Sequence, residues 1–413
     1  MSPGKISRRE FMSKSASGLA GLALGTAALG SPSRVMGANS RLSIGLIGCG
    51  GQGCNDASQA MRYSDELNVE VTAVCDVWKL HLNAAADMVE KKYSRKPRTF
   101  VDYQDLLALD DIDAVIIATP DFQHCRMLND AMQAGKDVYV EKPMAMYLDE
   151  ANESLEVART TQRVVQVGTQ RRSEGRYAAG ARFIRSGALG TISRVEAAWN
   201  DCGPRWRKDL SNVKAEDIDW KRFLRGAKKR PFDPSRFREW HLYRDYTLGT
   251  VSLLGSHMID VVHWFMDDLL PTSGVAHGGK YVWKDHREHE DTVYALFEYP
   301  KGFMLRYLTG LGNETGNGCF FYGTNGTFDT ATWKATGAGG AGEARIKEEK
   351  VIESGRGQNH MKNFLECVRS RQTPNASIRD GYAHSIAAIM AARSLRSGSK
   401  ILYDIQSQEM RES

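Results

Sequence analysis

Leu42-Ser43-Ile44-Gly45-Leu46-Ile47-Gly48-Cys49-Gly50-Gly51-Gln52-Gly53 is the stretch on which the fold turns. Residues 42–47 form an apolar run of strand length, and it passes without a break into glycines at 48, 50 and 53. That spacing marks a strand, a tight turn and a helix that together receive a dinucleotide. Gly48 permits the turn, Gly50 lets a pyrophosphate approach the backbone, and Gly53 lets the helix pack close to the strand. Gly51 and Gln52 fall at the helix start, where unbonded amides face an anion.

Working outward, further apolar runs at 69–75, 114–118, 138–140 and 164–167 alternate with amphipathic segments. Strands separated by helices predict an open, doubly wound parallel sheet over residues 38–165. The second strand ends at Asp76, about 20 residues after the glycines, where a carboxylate can hold ribose hydroxyls and repel a 2′-phosphate. NAD is therefore the expected cofactor, with Lys79 leaving NADP as the alternative.

Residues 166–413 read differently. Runs at 192–199, 292–299, 303–308 and 319–322 are rich in β-branched and aromatic residues, and glycines bound them, so strands are expected. Residues 252–264 carry apolar side chains at helical spacing and place His257 and Asp260 one turn apart. Residues 337–342 hold too little apolar content for anything but a loop. The fold class expected is a Rossmann α/β domain followed by an α+β domain built on an open, mostly antiparallel sheet.

The first residues carry an address. Ser7-Arg8-Arg9-Glu10-Phe11-Met12-Ser13-Lys14 precedes a weakly apolar Gly/Ala-rich run to Gly30, the pattern of a twin-arginine signal over residues 1–37. Export to the periplasm by the twin-arginine machinery, in folded form, is the expectation. The run is shorter than the roughly 20 residues of a membrane span.

With 42% apolar and 25% charged residues, the 413-residue chain matches soluble globular proteins. Most of its formal net charge of +5 lies in the leader, so the body is near neutral and nucleic-acid binding is not expected. The basic stretch 225–238, interrupted by Pro231, Asp233 and Pro234, reads as a solvated loop. Seven cysteines without a Cys-x-x-Cys pair suggest neither a disulfide framework nor a zinc knuckle, and the histidines show no ligand spacing, so no metal is expected.

Ala118-Thr119-Pro120 with His124, Glu141-Lys142-Pro143 after the fifth strand, Gly168-Thr169-Gln170-Arg171-Arg172, Ile218-Asp219-Trp220 and Gly255-Ser256-His257-Met258-Ile259-Asp260 complete a pattern. Together with the Gly-rich turn, it resembles the glucose-fructose oxidoreductase, inositol dehydrogenase and rhizopine-catabolism (Gfo/Idh/MocA) family. The resemblance implies an NAD(P)-dependent enzyme that moves hydride between a nicotinamide and a sugar, glycoside or polyol. It implies Lys142 and His257 as catalytic residues, and Thr119, Pro120, His124, Glu141 and Lys142 around the cofactor. It also implies subunit contacts through the second sheet, hence a homo-oligomer. Many dehydrogenases of the family carry an Asp four residues before this His; Leu253 stands here, so the proton path would need another group such as His241 or Tyr243.

Arg171, Trp206, His241, Tyr243 and Asp260 are the candidate substrate residues, because sugars stack on aromatic faces and hydrogen-bond at their edges; Asp260, one turn from His257, could equally orient that imidazole. An exported enzyme without free NAD would keep its nucleotide bound and regenerate it within its own cycle. Either one sugar is oxidised and a second reduced, or, as an alternative, a glycoside is transiently oxidised, loses its aglycone and is reduced back.

Overall fold

In the computed structural model, residues 41–413 are described, and the leader expected over residues 1–37 lies outside the described residues. The first sheet has six strands: β1 Leu42–Ile47, β2 Val69–Cys75, β3 Arg98–Phe100, β4 Ala114–Ile117, β5 Asp137–Val140 and β6 Val165–Val167. All pair in parallel, in the order β3-β2-β1-β4-β5-β6. β1 is buried at every position, as an apolar run without alternation requires of a central parallel strand.

Helices α1 Gly51–Met61, α2 Lys79–Tyr93, α3 His124–Gln133 and α4 Leu148–Thr161 link the strands. The direction of winding reverses between β1 and β4, so a crevice opens at their carboxyl ends.

The second sheet comprises β7 Ile192–Ala198, β8 Ser273–Gly279, β9 Thr292–Tyr299, β10 Phe303–Gly310, β11 Gly318–Gly323, β12 Gly326–Asp329, β13 Lys334–Thr336, β14 Lys350–Val351, β15 Ile401–Asp404 and β16 Glu409–Glu412. Their order is β14-β13-β12-β11-β7-β10-β9-β8-β15-β16. Only β7 and β10 pair in parallel; the other pairs are antiparallel. Along β9 the burial alternates, with Val293, Ala295, Phe297 and Tyr299 inward and Tyr294 and Leu296 outward. The inner face is covered by α5 Gly175–Arg185, α6 Gly255–Met266 and a later helix, Ile378–Ser397.

Between the last two helices the chain crosses back. Helix α7, His360–Ser370, shares a core with β1, β2 and α1, and Phe364 meets the ring of Tyr139 on β5 edge-on at 5.8 Å. The helix Ile378–Ser397, here α8, begins in a capping box formed by Ser377 and Asp380.

The helix expected over 252–264 starts later. Thr250–Leu253 forms a separate turn, Leu254 breaks it, and α6 begins at Gly255. A Cβ at Gly255 would lie 3.0 Å from the ring of Tyr307, so the close approach of helix to sheet falls on that glycine. Residues 337–342 form a loop, as their composition predicts.

Candidate active site and nucleotide cleft

The crevice is a cleft of about 400 Å³ along the carboxyl ends of β1 to β4. Its floor includes Gly48, Gly50, Gly51, Gln52, Asp76, Thr119 and Pro120, which brings together most of the residues expected at the cofactor. Gly48 has φ +91°, and its N–H donates to Cys75 O at 2.9 Å. A Cβ at Gly53 would lie 1.9 Å from the carbonyl oxygen of Gly48, so only glycine lets α1 start this close to the turn. Gly50 is the N-cap and has no side chain to cap α1, while the space beside Gly51 is open. The first amides of α1 are thus left to an anion.

Asp76 accepts the N–H of Cys49 on one oxygen at 2.7 Å and that of Trp78 on the other at 2.8 Å. A carboxylate has about four lone-pair sites, so each oxygen can still accept from a hydroxyl in the cleft. Burial raises its pKa to about 6, against the pull of the two amides. Lys79 is turned away: its ammonium donates to Glu216 O at 2.9 Å and lies 3.7 Å from Asp217. With an acid on the floor and that lysine engaged elsewhere, the residues present fit NAD.

His124 and Glu141, expected at the cofactor, are instead placed behind the cleft. His124 is 1% exposed and its ring bridges Pro143 O at 2.6 Å and Thr119 O at 2.8 Å. Burial lowers its pKa to about 4 against the pull of the two carbonyls, and the neutral ring, with one N–H, donates to one of them at a time as it sits between the Thr119-Pro120 and Lys142-Pro143 turns. Glu141 accepts from Gln170 at 3.2 Å and from the Lys142 amide at 3.1 Å. Gln52 bridges Glu141 at 3.4 Å and Asp56 at 2.9 Å. Burial, then the charge of Glu141, pushes Asp56 up to about 9; one of these two acids is protonated at neutral pH.

Lys142 follows β5, and its ammonium donates to the carbonyl of Leu253 at 3.0 Å. Position 253 therefore contributes through its backbone what its side chain cannot. Leu253 lies four residues before His257, and the bond brings the ammonium to the head of α6. His257 is held neutral: burial first, then the charges of Lys142 and Arg171, keep its pKa well below the usual histidine range. Its ring lies 5.4 Å from that of Trp199, and the Arg171 guanidinium stacks over Trp199 at 5.1 Å and Tyr177 at 5.4 Å. Lys142, His257 and Arg171 are thus brought together.

His241 lines the same cleft with Trp240, and the two rings stack at 3.7 Å. Trp206 lies parallel on the His241 ring at 5.7 Å. The Nδ1 atom of His241 is buried without a partner, and burial together with Lys142 keeps the ring neutral. A buried imidazole nitrogen with no partner beside Lys142 suits a ligand hydroxyl.

Two expected substrate residues are not at the site. Asp260 is buried in an ion pair, with Arg172 Nε 2.9 Å from each of its oxygens, and Arg172 also reaches Asp380 at 3.0 Å. This triad joins α6 to α8; helical spacing alone could not tell which neighbour Asp260 would meet. Tyr243 bonds Ser235 through its hydroxyl at 2.6 Å and stacks on His286, so it supports a loop rather than the cleft.

The basic stretch 225–238 is the larger correction. Arg222, Phe223, Arg225, Phe237 and Arg238 line the cleft opposite the glycines, with Lys208. Phe223 and Phe237 are buried and meet at 5.0 Å, and Phe237 packs on Trp78 at 5.6 Å. The apolar residues between the charges supply the adhesion, and the positive charges find Asp102, Asp245 and Glu288.

Asp121 was missed. It follows Thr119-Pro120, is 2% exposed, and accepts a 2.7 Å hydrogen bond from Thr247. Burial raises its pKa to about 7, opposed by that bond and by the charge of Lys142. An acid directly after the Thr-Pro pair, before apolar Phe122, is the signal that marks it.

Residues 42–169 match the oxidoreductase family with an NAD-binding Rossmann fold, Gfo/Idh/MocA, and residues 223–403 match its C-terminal alpha/beta domain. The chain belongs to the Gfo/Idh/MocA oxidoreductase family. A glycosyl hydrolase family 109 protein of Shewanella baltica is 25% identical over 391 residues, covering 85% of this chain and 82% of the relative. An alpha-N-acetylgalactosaminidase of Shewanella oneidensis is 24% identical over 395 residues, covering 86% and 83%. Among solved structures, the WlbA dehydrogenase of Bordetella pertussis, in complex with NADH and UDP-GlcNAcA, superposes with a TM-score of 0.65. It shares 21% identity over 88% of this chain and 99% of its own. Membership of this family makes the chain an NAD-binding protein with the Rossmann and mostly antiparallel sheets described above.

Proposed function

We propose that this chain oxidises a hydroxyl of a sugar or glycoside with an NAD that stays bound. The observation that carries this reading is the Lys142 ammonium bonded to Leu253 O at the head of α6, in whose field His257 is held neutral. NAD supplies the hydride acceptor. Lys142 donates a hydrogen bond to the reacting oxygen, and the neutral imidazole of His257 takes the hydroxyl proton as the C–H bond breaks. Arg171 and the unpartnered Nδ1 of His241 offer hydrogen bonds to neighbouring hydroxyls, and the stacked Trp206 and Trp240 rings suit a sugar face.

The cycle then closes in one of two ways. In the first, a second sugar is reduced and the turnover is a net oxidoreduction. In the second, the oxidised ring loses its aglycone as an alcohol by elimination, water adds at the anomeric carbon, and the ring is reduced again. The relatives named as a family 109 glycosyl hydrolase and an alpha-N-acetylgalactosaminidase favour this second ending. A panel of free sugars and aryl glycosides given to the purified protein separates them. Aglycone release without net reduced nucleotide supports glycoside cleavage; an oxidised sugar product supports oxidoreduction; neither product from any substrate overturns the proposal.

Two further proposals accompany it. The outer face of β8 to β10 exposes Val275, Tyr294, Leu296 and Met304, an apolar patch suited to a second copy of the chain. Export to the periplasm through the twin-arginine machinery is proposed on the leader pattern.

A further inference from the structure

The wall of the cleft opposite the glycines is built by a segment about 170 residues further along the chain, and it is fastened to the nucleotide half at several separate points. The Asp219 amide donates to Val77 O at 2.8 Å, and Ile218 forms a backbone bridge with Trp78. Gln123 donates to the carbonyl of Phe223 at 2.5 Å. Rings seal the contact: Phe223 on Phe122 at 5.8 Å, Phe237 on Trp78 at 5.6 Å, and the Arg238 guanidinium over Trp78 at 5.3 Å.

The strongest fastening is ionic and converges on one residue. Asp102, at the end of β3, accepts from Arg222 Nε at 3.0 Å and from Arg225 at 2.6 and 3.0 Å. Its side chain is 13% exposed, and these bonds hold the carboxyl down at about 2, so it is ionised throughout the working range. The same carboxylate caps the short helix Tyr103–Leu107 through the Gln104 amide, which fixes it to the nucleotide half.

Charge says what this roof is shaped to cover. Lys208 and Arg238 line the cleft, and neither has an acid partner within ion-pair distance among the described residues. They line the same cleft as the uncapped start of α1, so positive potential faces the space between them, apart from Asp76, the floor acid suited to ribose hydroxyls. A dinucleotide with an anionic pyrophosphate complements that arrangement. A neutral ligand does not.

We propose that residues 208–241 form a latched roof over the bound NAD, with Asp102 as its clasp, so that the nucleotide leaves only when the ion pairs of Arg222 and Arg225 with Asp102 open. The inference rests on the NAD reading and adds to it the element that keeps the cofactor in place between turnovers. Asp102 is a positioning residue here and has no part in the chemistry.

The test is the rate at which bound NAD leaves the full-length protein. Release is followed by native mass spectrometry after mixing with excess isotopically labelled NAD. Asp102→Asn keeps an oxygen for the Gln104 amide and removes the charge; an Arg222→Ala, Arg225→Ala double variant leaves Asp102 and its cap untouched. Both are expected to exchange NAD about tenfold faster or more than wild type, with thermal unfolding of each variant checked independently. Lys208→Ala with Arg238→Ala is expected to weaken NAD binding while the clasp stays closed. NAD that binds wild type but exchanges from the clasp variants at the wild-type rate overturns the latch alone. A wild-type protein with no affinity for NAD overturns the cofactor reading, and the latch with it.

Discussion

Replacing Asp121 by Asn tests the electrostatics behind the site through protein stability. In the unfolded chain this carboxyl ionises near pH 4, whereas burial raises it to about 7 in the folded protein. Between those values the folded state holds a proton that the unfolded state has lost, so stability falls as pH rises through that window and levels off above it. The difference of roughly 3 pH units corresponds to about 4 kcal/mol, an upper figure because water reaches most buried acids to some extent. Asn keeps the oxygen that accepts from Thr247 and cannot ionise. Urea unfolding of wild type and Asp121→Asn at pH 5 and pH 8 measures the effect as a difference between proteins, so the contributions of Asp56 and Glu141 cancel. Because pH 5 already lies about a unit above the unfolded value, roughly 2 of those 3 units fall between the two measurements, and the variant is expected to gain on wild type by as much as about 3 kcal/mol. Parallel pH dependences for the two proteins would refute the reasoning. The same substitution is expected to lower turnover, because it removes a partial negative charge beside Lys142.

Gly53→Ala would drive a methyl group against the Gly48 carbonyl, 1.9 Å away, and NAD affinity measured by calorimetry is expected to fall by at least about tenfold. Asp260→Ala leaves Arg172 partly uncompensated in the core, and denaturant unfolding is expected to show a loss of roughly 3–5 kcal/mol; a loss under about 1 would mean the triad is not structural. Because burial and the Lys142 charge hold His257 neutral, the acid limb of kcat/KM is expected to lie below the ordinary histidine range. In the Asp121→Asn protein, where the carboxyl that ionises near 7 is gone, a limb near pH 6.5 or above would take His257 out of the role of base.

Much of the nucleotide half was legible because each of its features is local. An unalternating apolar run, a glycine spacing and an acid at a fixed distance each report on neighbours within one βαβ unit, and β1, Gly48, Gly53 and Asp76 stand where that reading put them. Edge strands were harder: β3 is three half-exposed residues, and no periodicity can be read from so few. The errors lie where the deciding contact is far away in sequence. Asp260 and Tyr243 were read from their own helix and loop, but Arg172 and Ser235 determine what they do. The stretch 225–238 looked solvated because it is charged, while Phe223 and Phe237 and the distant Asp102 bind it to the cleft. Leu253 replaces an acid side chain, and nothing in the sequence says that its carbonyl would anchor Lys142.

The central claim is that Lys142 and His257 act on a substrate hydroxyl beside an NAD held in the cleft. Single-turnover absorbance of protein carrying bound NAD, mixed with a sugar or glycoside that wild type turns over, tests it most directly. The account predicts reduced nicotinamide in wild type, and in Lys142→Ala a nucleotide still bound but reduced at least about a hundredfold more slowly. Reduction by the Lys142 variant at the wild-type rate would contradict it.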